Sequence, residues 1–272
     1  MNDRLVQMNG GPGNKLRVLM VQPQLRWQKP AENLEQLGQL IKGSLSHDKA
    51  DLILLPETFT TGFLGDLDRE PESMEGEAPK WMRRLARKFD AAVGGSVVIG
   101  EDGKRLNRFL FVTPDGAISH YDKRHLFAHG GEHKLYSAGK ERVIVSFRGW
   151  RIALNICYDL RFPVWCRNRD DYDLSVFVAN WPATRATAWG ALLKARALEN
   201  QAYAIGINRV GRDGNGLEYL GLSAAYDGLG EELLNLGGEV AARIVTLDLD
   251  GLRTLRRDLP FLADADTFTL NI

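Results

Sequence analysis

Three places in this 272-residue chain end an apolar, β-rich run with a side chain able to do chemistry. Leu55-Pro56-Glu57-Thr58 stops a buried run at proline and presents a carboxylate, and Tyr121-Asp122-Lys123-Arg124 presents an amine. Asn155-Ile156-Cys157-Tyr158-Asp159 stops at a thiol before the chain turns towards Phe162-Pro163. Functional groups on α/β sheets gather just beyond strand ends. A thiol with an ordinary pKa of about 8.5 is only slightly ionised at neutral pH, so a nucleophilic cysteine needs a base or a nearby cation. Glu57 can take the proton, and Lys123 can stabilise both a thiolate and the oxyanion formed after attack. Singly, each has an ordinary explanation: a small core residue, a solvated loop carboxylate, a surface charge. Together they are a sufficient set for acyl transfer.

The elements that must carry these residues follow from the apolar periodicity. Residues 16–21 form a β-rich run stopped by Pro23, and Leu34, Leu37, Ile41 and Leu45 recur at helical spacing. Residues 51–55 read as a strand buried on both faces. Pro79 is expected to open a helix whose inward face is Trp81, Met82, Leu85 and Phe89. Residues 92–99, 107–113 and 117–121 are strands separated by the hairpin signals Asp102-Gly103 and Pro114-Asp115-Gly116. A further hairpin joins 143–147 to 151–156, then strands 174–179 and 204–208 flank a helix over 186–200, and a last strand lies near 242–247. About ten strands exceed what one twisted sheet usually holds, so two packed sheets with helices outside are expected. Residues 1–14, with Gly10-Gly11-Pro12-Gly13, are expected to be a flexible leader and do not match a phosphate-binding loop.

Composition narrows the classes. Thirty-five basic residues balance 35 acidic ones, which argues against nucleic acid as the main partner. With 44% apolar residues the chain is an ordinary globular one. Two cysteines are too few for a disulfide scaffold and fit a reducing cytosol. The N-terminus has no apolar core, and no apolar run approaches the roughly 20 residues a membrane span needs. A soluble, cytoplasmic protein is expected, with no membrane partner.

Other residues invite chemical readings. His125, His129 and His133, after His120, are four apart, but Gly130-Gly131 interrupts any helix that would align them and no HExxH arrangement occurs. No metal site is expected there; the histidines are solvent-exposed or pocket-lining. Cys166 reads as a packed thiol. Arg196 and Glu199 read as an ion pair on one helix. Trp181 is a pocket wall or a core or interface aromatic, and Phe59 and Phe63 are an apolar pocket wall or core.

The three reactive segments, Leu55-Pro56-Glu57, Tyr121-Asp122-Lys123 and Ile156-Cys157-Tyr158-Asp159, resemble the signature segments of the nitrilase (carbon-nitrogen hydrolase) superfamily in order and spacing. Residues 121–127, Gly131-Glu132-His133, 158–163, Ala179-Asn180-Trp181-Pro182 and 195–203 resemble its ω-amidase branch, which deamidates 2-oxo-acid monoamides such as 2-oxoglutaramate. The similarity runs from near residue 16 to past 250. It implies an α/β fold, a four-layer αββα sandwich of two mixed β-sheets flanked by helices, in a single domain over 15–272. It also implies a homo-oligomer, commonly a dimer, and no metal or organic cofactor. On that resemblance Cys157 attacks the amide carbon to give a thioester, and Glu57 takes the thiol proton, helps protonate ammonia and later activates water. Lys123 and the backbone N–H of Tyr158 hold the tetrahedral oxygen, and Glu132 matches a second glutamate that orients the lysine and the substrate. A substrate carboxylate calls for an arginine; Arg161 and Arg185 are both possible and the sequence does not choose. A nitrilase or N-carbamoyl amidohydrolase would use the same triad. A non-catalytic binding protein on the same fold is the remaining class, against which the intact triad speaks. One departure stands out: after Tyr219-Leu220-Gly221 the family usually turns at Asp-Pro, whereas residues 222–228 here lack proline.

Overall fold

The computed structural model describes residues 4–7, 14–63 and 70–271. In chain order the strands are β1 (Arg4–Gln7), β2 (Lys15–Gln22), β3 (Leu52–Leu54), β4 (Ala92–Glu101), β5 (Lys104–Val112), β6 (Ile118–Asp122), β7 (Val143–Phe147), β8 (Trp150–Ile156), β9 (Leu174–Val178), β10 (Tyr203–Ile207), β11 (Val210–Arg212), β12 (Glu218–Leu220), β13 (Ala224–Tyr226), β14 (Glu232–Asn235) and β15 (Ala241–Asp248). The helices are α1 (Pro30–Ser44), α2 (Glu77–Phe89), the single turn α3 (Pro163–Cys166), α4 (Ala186–Asn200) and α5 (Leu249–Asp258). Two mixed sheets result, one in the order β15-β2-β3-β4-β5-β6 and the other β1-β7-β8-β9-β10-β13-β14, with β11 and β12 as a separate pair. In the first sheet β2, β3 and β4 run parallel and β4, β5 and β6 antiparallel. In the second, β8, β9 and β10 run parallel.

Alternation along each strand builds the layers. Leu16, Val18 and Met20 of β2 and Leu52 and Leu54 of β3 pack between the sheets with Val145, Ile152, Leu154 and Val176. Their neighbours Leu19, Val21 and Ile53 face the other way, onto Leu34, Leu37 and Ile41 of α1 and Met82 of α2. A strand with both faces covered must be apolar at every position, which is why 52–55 shows no alternation. On the outer face of the second sheet α4 presses close to β10. A Cβ at Gly206 would lie 2.4 Å from Leu193 Cδ1 and 2.6 Å from Trp189, so the missing side chain sets that approach. The order is helix, sheet, sheet, helix.

All ten expected strands are present. The five not anticipated, β1 and β11 to β14, have three or four residues each, too few to show periodicity. Arg4–Gln7, inside the stretch expected to be a leader, pairs in parallel with β7 at the edge of the second sheet; Gly10-Gly11-Pro12-Gly13 lies outside the described residues. Helix α2 begins at Glu77 after Gly76 as N-cap, so Pro79 is its third residue and not its first; the first turn has no intrahelical acceptor for that N–H, so proline is tolerated. Trp81 and Phe89 are only partly buried against the core. Over 222–228 the strand β13 forms and the turn is made without proline. The Asp227 carboxylate accepts from the N–H groups of Leu229 and Glu231, both at 2.9 Å, and Gly230 takes φ +76°. Among the described residues no helix is long and apolar enough to cross a membrane.

Candidate active site

The carboxyl ends of β3 and β6 in one sheet and of β8 and β9 in the other meet at one place. Beyond β3 the chain bends along β4, where the Thr58 N–H donates to Ser96 Oγ at 2.9 Å and the Phe59 N–H to Ser96 O at 3.2 Å. Gly95 permits this approach, since a Cβ there would sit 2.8 Å from Leu55 Cβ. Thr58 takes φ +41°, so the turn is held by its surroundings and aims Glu57 inward. Beyond β6, the Lys123 N–H donates to Asn107 O at 2.9 Å. Beyond β8, Cys157 opens a 3₁₀ turn, Cys157–Arg161, at φ +44°, a left-handed conformation rare for a residue with a side chain. Asn180 follows β9.

Lys123 Nζ donates to Glu57 Oε1 at 2.8 Å and to Glu132 Oε1 and Oε2 at 3.0 and 2.9 Å. Asn107 Nδ2 donates to Glu57 Oε1 at 2.9 Å and Glu132 Oε1 at 3.3 Å. The Asn180 N–H donates to Glu57 Oε2 at 2.8 Å, and its Nδ2 to Glu57 O at 2.8 Å and Thr58 Oγ1 at 3.0 Å. Glu132 Oε2 also accepts from the Phe127 N–H at 2.6 Å. Glu57, Lys123 and Glu132 are all buried. Taking such charges out of water is costly, and only the complete set of partners offsets it. The two carboxylates hold the Lys123 ammonium well above the ordinary lysine range, against burial. Burial and the Glu57 charge push Glu132 up, against the pull of Lys123.

Cys157 is buried, with its Sγ 3.9 Å from Asn180 O. Burial first, then the neighbouring Glu57 charge, holds its thiol well above the ordinary range despite Lys123. The charge count explains the balance: two carboxylates against one ammonium leave a net negative neighbourhood, and a thiolate would add to it. This arrangement favours a protonated thiol beside a base over a resting thiolate.

Lys123 and Cys157 line a cavity of about 160 Å³ whose other walls include Phe63, Phe127, Tyr158, Asn180, Trp181 and Tyr219. Arg161 and Arg185 also line it, with their guanidinium carbons over the rings of Trp181 and Phe127, each 4.9 Å from the ring centroid. Among the described residues neither arginine makes an ion pair. Trp181 lines the cavity and also belongs to the buried core, packing on Trp189 at 5.5 Å while its indole donates to Arg185 O at 2.7 Å. Phe63 lines the cavity, with Lys123 Nζ 5.3 Å from its ring centroid. Phe59 does not. It is fully buried, packs on Trp81 at 5.9 Å and belongs to the helix–sheet core.

The remaining candidates fall elsewhere. His129 and His133 lie on successive 3₁₀ turns separated by Gly131 at φ +80°, and among the described residues no group of three or more ligating side chains is placed to hold a metal ion. Cys166 is buried, its thiol pushed up to about 12 by burial and donating to Asp159 O at 3.3 Å. Arg196 pairs with Glu199 at 2.6 Å and donates to Leu160 O at 2.6 Å, fastening the turn that follows Cys157. Two residues around the Glu57 carboxylate escaped sequence reasoning. Asn107 is a polar residue buried within the strand β5, and that mismatch was its only signal. Asn180 had the stronger signal of a strand end.

A family model for carbon-nitrogen hydrolases matches residues 17–257. The chain is 47% identical over 256 residues to the omega-amidase YafV of Yersinia enterocolitica, covering 94% of this chain and 98% of that protein. It is 31% identical over 255 residues to the 2-oxoglutaramate amidase of Bacillus subtilis, covering 92% and 97%. Among solved structures, XC1258 of Xanthomonas campestris, a CN-hydrolase superfamily protein with an arsenic adduct in its active site, superposes with a TM-score of 0.91 at 44% identity, covering 94% of this chain and 99% of that one.

Proposed function

This chain belongs to the carbon-nitrogen hydrolase family, and from that premise we propose that it hydrolyses the terminal amide of small 2-oxo-acid monoamides, of the 2-oxoglutaramate and 2-oxosuccinamate type, to acid and ammonia. The observation that carries this is the pairing of a buried carboxylate and a buried ammonium, Glu57 and Lys123 at 2.8 Å, with Lys123 opening onto the same cavity as the Cys157 thiol. Glu57 accepts the thiol proton as Sγ attacks the amide carbon. Negative charge moves to the amide oxygen, towards Lys123 Nζ and the backbone N–H of Tyr158, which lies in the first turn of a helix where N–H groups lack intrahelical acceptors. The tetrahedral adduct collapses, the carbon–nitrogen bond breaks and Glu57 returns its proton to the departing ammonia. Water then gives a proton to Glu57 and attacks the thioester. The carbon–sulfur bond breaks, the acid leaves and the proton goes back to sulfur. Glu132 positions Lys123 throughout.

Arg161 and Arg185 support the acidic substrate. Both guanidinium groups line the cavity beside aromatic rings, and their fork of N–H donors suits a carboxylate. A cytoplasmic homodimer is the setting we propose; exposed apolar side chains such as Val164 and Phe261 are compatible with a second copy, and light scattering in solution tests it.

The test is ammonia release from 2-oxoglutaramate, glutamine, a simple aliphatic amide, a carbamoyl amino acid and an aliphatic nitrile, with wild type and Cys157→Ala. The expected ranking places 2-oxoglutaramate first and leaves Cys157→Ala inactive on all. A nitrile or carbamoyl amino acid ranking first would replace the substrate assignment and keep the triad. Wild type inactive on every compound would favour a binding protein.

A further inference from the structure

Below the nucleophile turn lies a buried carboxylate that the reaction itself does not use. Asp159 is fully buried. Its Oδ1 accepts from the His125 backbone N–H at 3.0 Å and meets His125 Nδ1 at 2.8 Å. Its Oδ2 accepts from the Tyr121 hydroxyl at 2.8 Å and from the Ile156 N–H at 2.9 Å. The Tyr121 hydroxyl in turn accepts from the Arg124 N–H at 3.1 Å. One carboxylate therefore holds the residue before Cys157 with one oxygen and reaches both sides of Lys123, at Tyr121 and His125, with the two together.

From this we infer that Asp159 is a positioning residue for amide hydrolysis, with Tyr121 and His125 as its arms, fixing Lys123 relative to Cys157 across the two sheets. The inference rests on the proposed reading that Cys157 and Lys123 act together. Cys157 sits in a backbone conformation a side-chain-bearing residue rarely adopts, so its turn must be over-determined by its surroundings. The backbone bond at Ile156 does this on the amino side. Lys123 lies on the other sheet, beyond β6, and neither sheet alone fixes its distance from sulfur. Each Asp159 oxygen receives a backbone N–H as well as a side-chain donor, so an asparagine NH₂ would face an N–H whichever way the amide were turned. The site calls for a carboxylate. His125 is the accessible arm: its ring stacks on Phe162 at 3.7 Å and 7°, meets Trp165 edge-on at 5.7 Å, and remains partly exposed. A carboxylate facing Nδ1 makes that nitrogen the donor.

Three variants test this with two readouts. His125→Ala removes donor and stacking; His125→Asn keeps a side-chain N–H where Nδ1 stands and removes only the stacking; Tyr121→Phe removes the other arm. Ammonia release gives kcat and KM, and the rate of Cys157 alkylation by iodoacetamide, followed by mass spectrometry, reports the thiol without reference to the true substrate. His125→Ala and Tyr121→Phe are expected to lower kcat about tenfold with KM within about twofold, the scale of one lost hydrogen bond and a slipped geometry. Alkylation should slow in parallel, and His125→Asn should recover most of both. Equal behaviour of the Ala and Asn variants overturns the inference, because packing would then be the whole role. So does a lowered Tm with unchanged kcat and alkylation. If wild type turns over no amide, the functional reading fails and the alkylation series still decides this one.

Discussion

Replacing Glu57 by glutamine separates two effects that a carboxylate can have on a neighbouring thiol. Burial, then the Glu57 charge, holds the Cys157 thiol well above its ordinary range, and on the proposed mechanism sulfur keeps its proton at neutral pH until it attacks substrate. Glu57 is fixed in place, with Oε1 accepting from Lys123 and Asn107 and Oε2 from the Asn180 N–H. Removing a positioned general base costs about 10² to 10⁴ in rate. The same substitution removes a repelling charge. Two unit charges about 4 Å apart at an effective dielectric near 20 interact by about 4 kcal/mol, so the thiolate becomes easier to form. Hydrolysis and thiol acidity must therefore move in opposite directions. In Glu57→Gln, ammonia release at pH 7 is expected to fall by about 10² to 10⁴, while the pH at which iodoacetamide labelling of Cys157 rises moves lower than in wild type. The glutamine NH₂ faces a donor either way, as it would at Glu132, so a stability loss of the same order is expected at the two positions, and both assays are run under conditions where denaturant titration shows the variant folded. Turnover within about tenfold of wild type would remove Glu57 as the base, and a labelling profile unmoved or shifted upward would refute the charge argument.

Other consequences can be checked alongside. In Glu132→Gln the new NH₂ faces a donor either way, because Oε1 serves Lys123 and Asn107 while Oε2 serves Lys123 and the Phe127 N–H. Denaturant titration should show a loss approaching about 3–5 kcal/mol, and kcat should drop about a hundredfold; a variant as stable and active as wild type contradicts the cluster. Arg161→Ala with Arg185→Ala should raise KM for 2-oxoglutaramate at least about tenfold and leave an uncharged aliphatic amide unaffected, whereas equal losses on both would remove the arginines as carboxylate anchors. The pH dependence of stability has a definite sign. Cys157 and Lys123 are both raised on folding, so the folded state keeps protons that the unfolded chain releases above about 8.5 and 10.4 respectively. Their stabilising contributions are fully present at neutral pH and fall as the pH climbs through these values. Cys157→Ala should flatten the first part of that fall, and wild-type stability rising from about pH 8 to 11 would be incompatible with it.

The residues that meet at the site were more legible than the scaffold that brings them together. Glu57, Lys123 and Cys157 each end a strand, and long apolar runs mark strands well, so the three could be read from local pattern. Asn107 could not, because it lies inside β5 and its role comes from a neighbouring sheet position brought close by folding. Phe59 and Phe63 show a different limit. Both follow Glu57 closely, but the turn at Thr58, with its positive φ, sends Phe59 into the core against Trp81 and leaves Phe63 at the cavity. Outside helices and strands no periodicity tells which way a side chain goes. The histidine spacing is different: Gly130-Gly131 already spoke against a shared helical face, and Gly131 does split His129 from His133 while His125 turns to Asp159. The missing proline after Gly221 mattered little, because the Asp227 carboxylate makes the turn instead.

Covalent catalysis by Cys157 is the centre of this account, and a single-turnover experiment addresses it most directly. Wild-type enzyme is mixed with 2-oxoglutaramate, quenched with acid within the first turnover, and examined by mass spectrometry while released ammonia is measured in the same samples. The account predicts an acyl adduct confined to the peptide bearing Cys157, appearing with the first equivalent of ammonia and absent, with the ammonia, from Cys157→Ala. Ammonia released by Cys157→Ala at the wild-type rate, with no adduct on the wild-type enzyme, would contradict it.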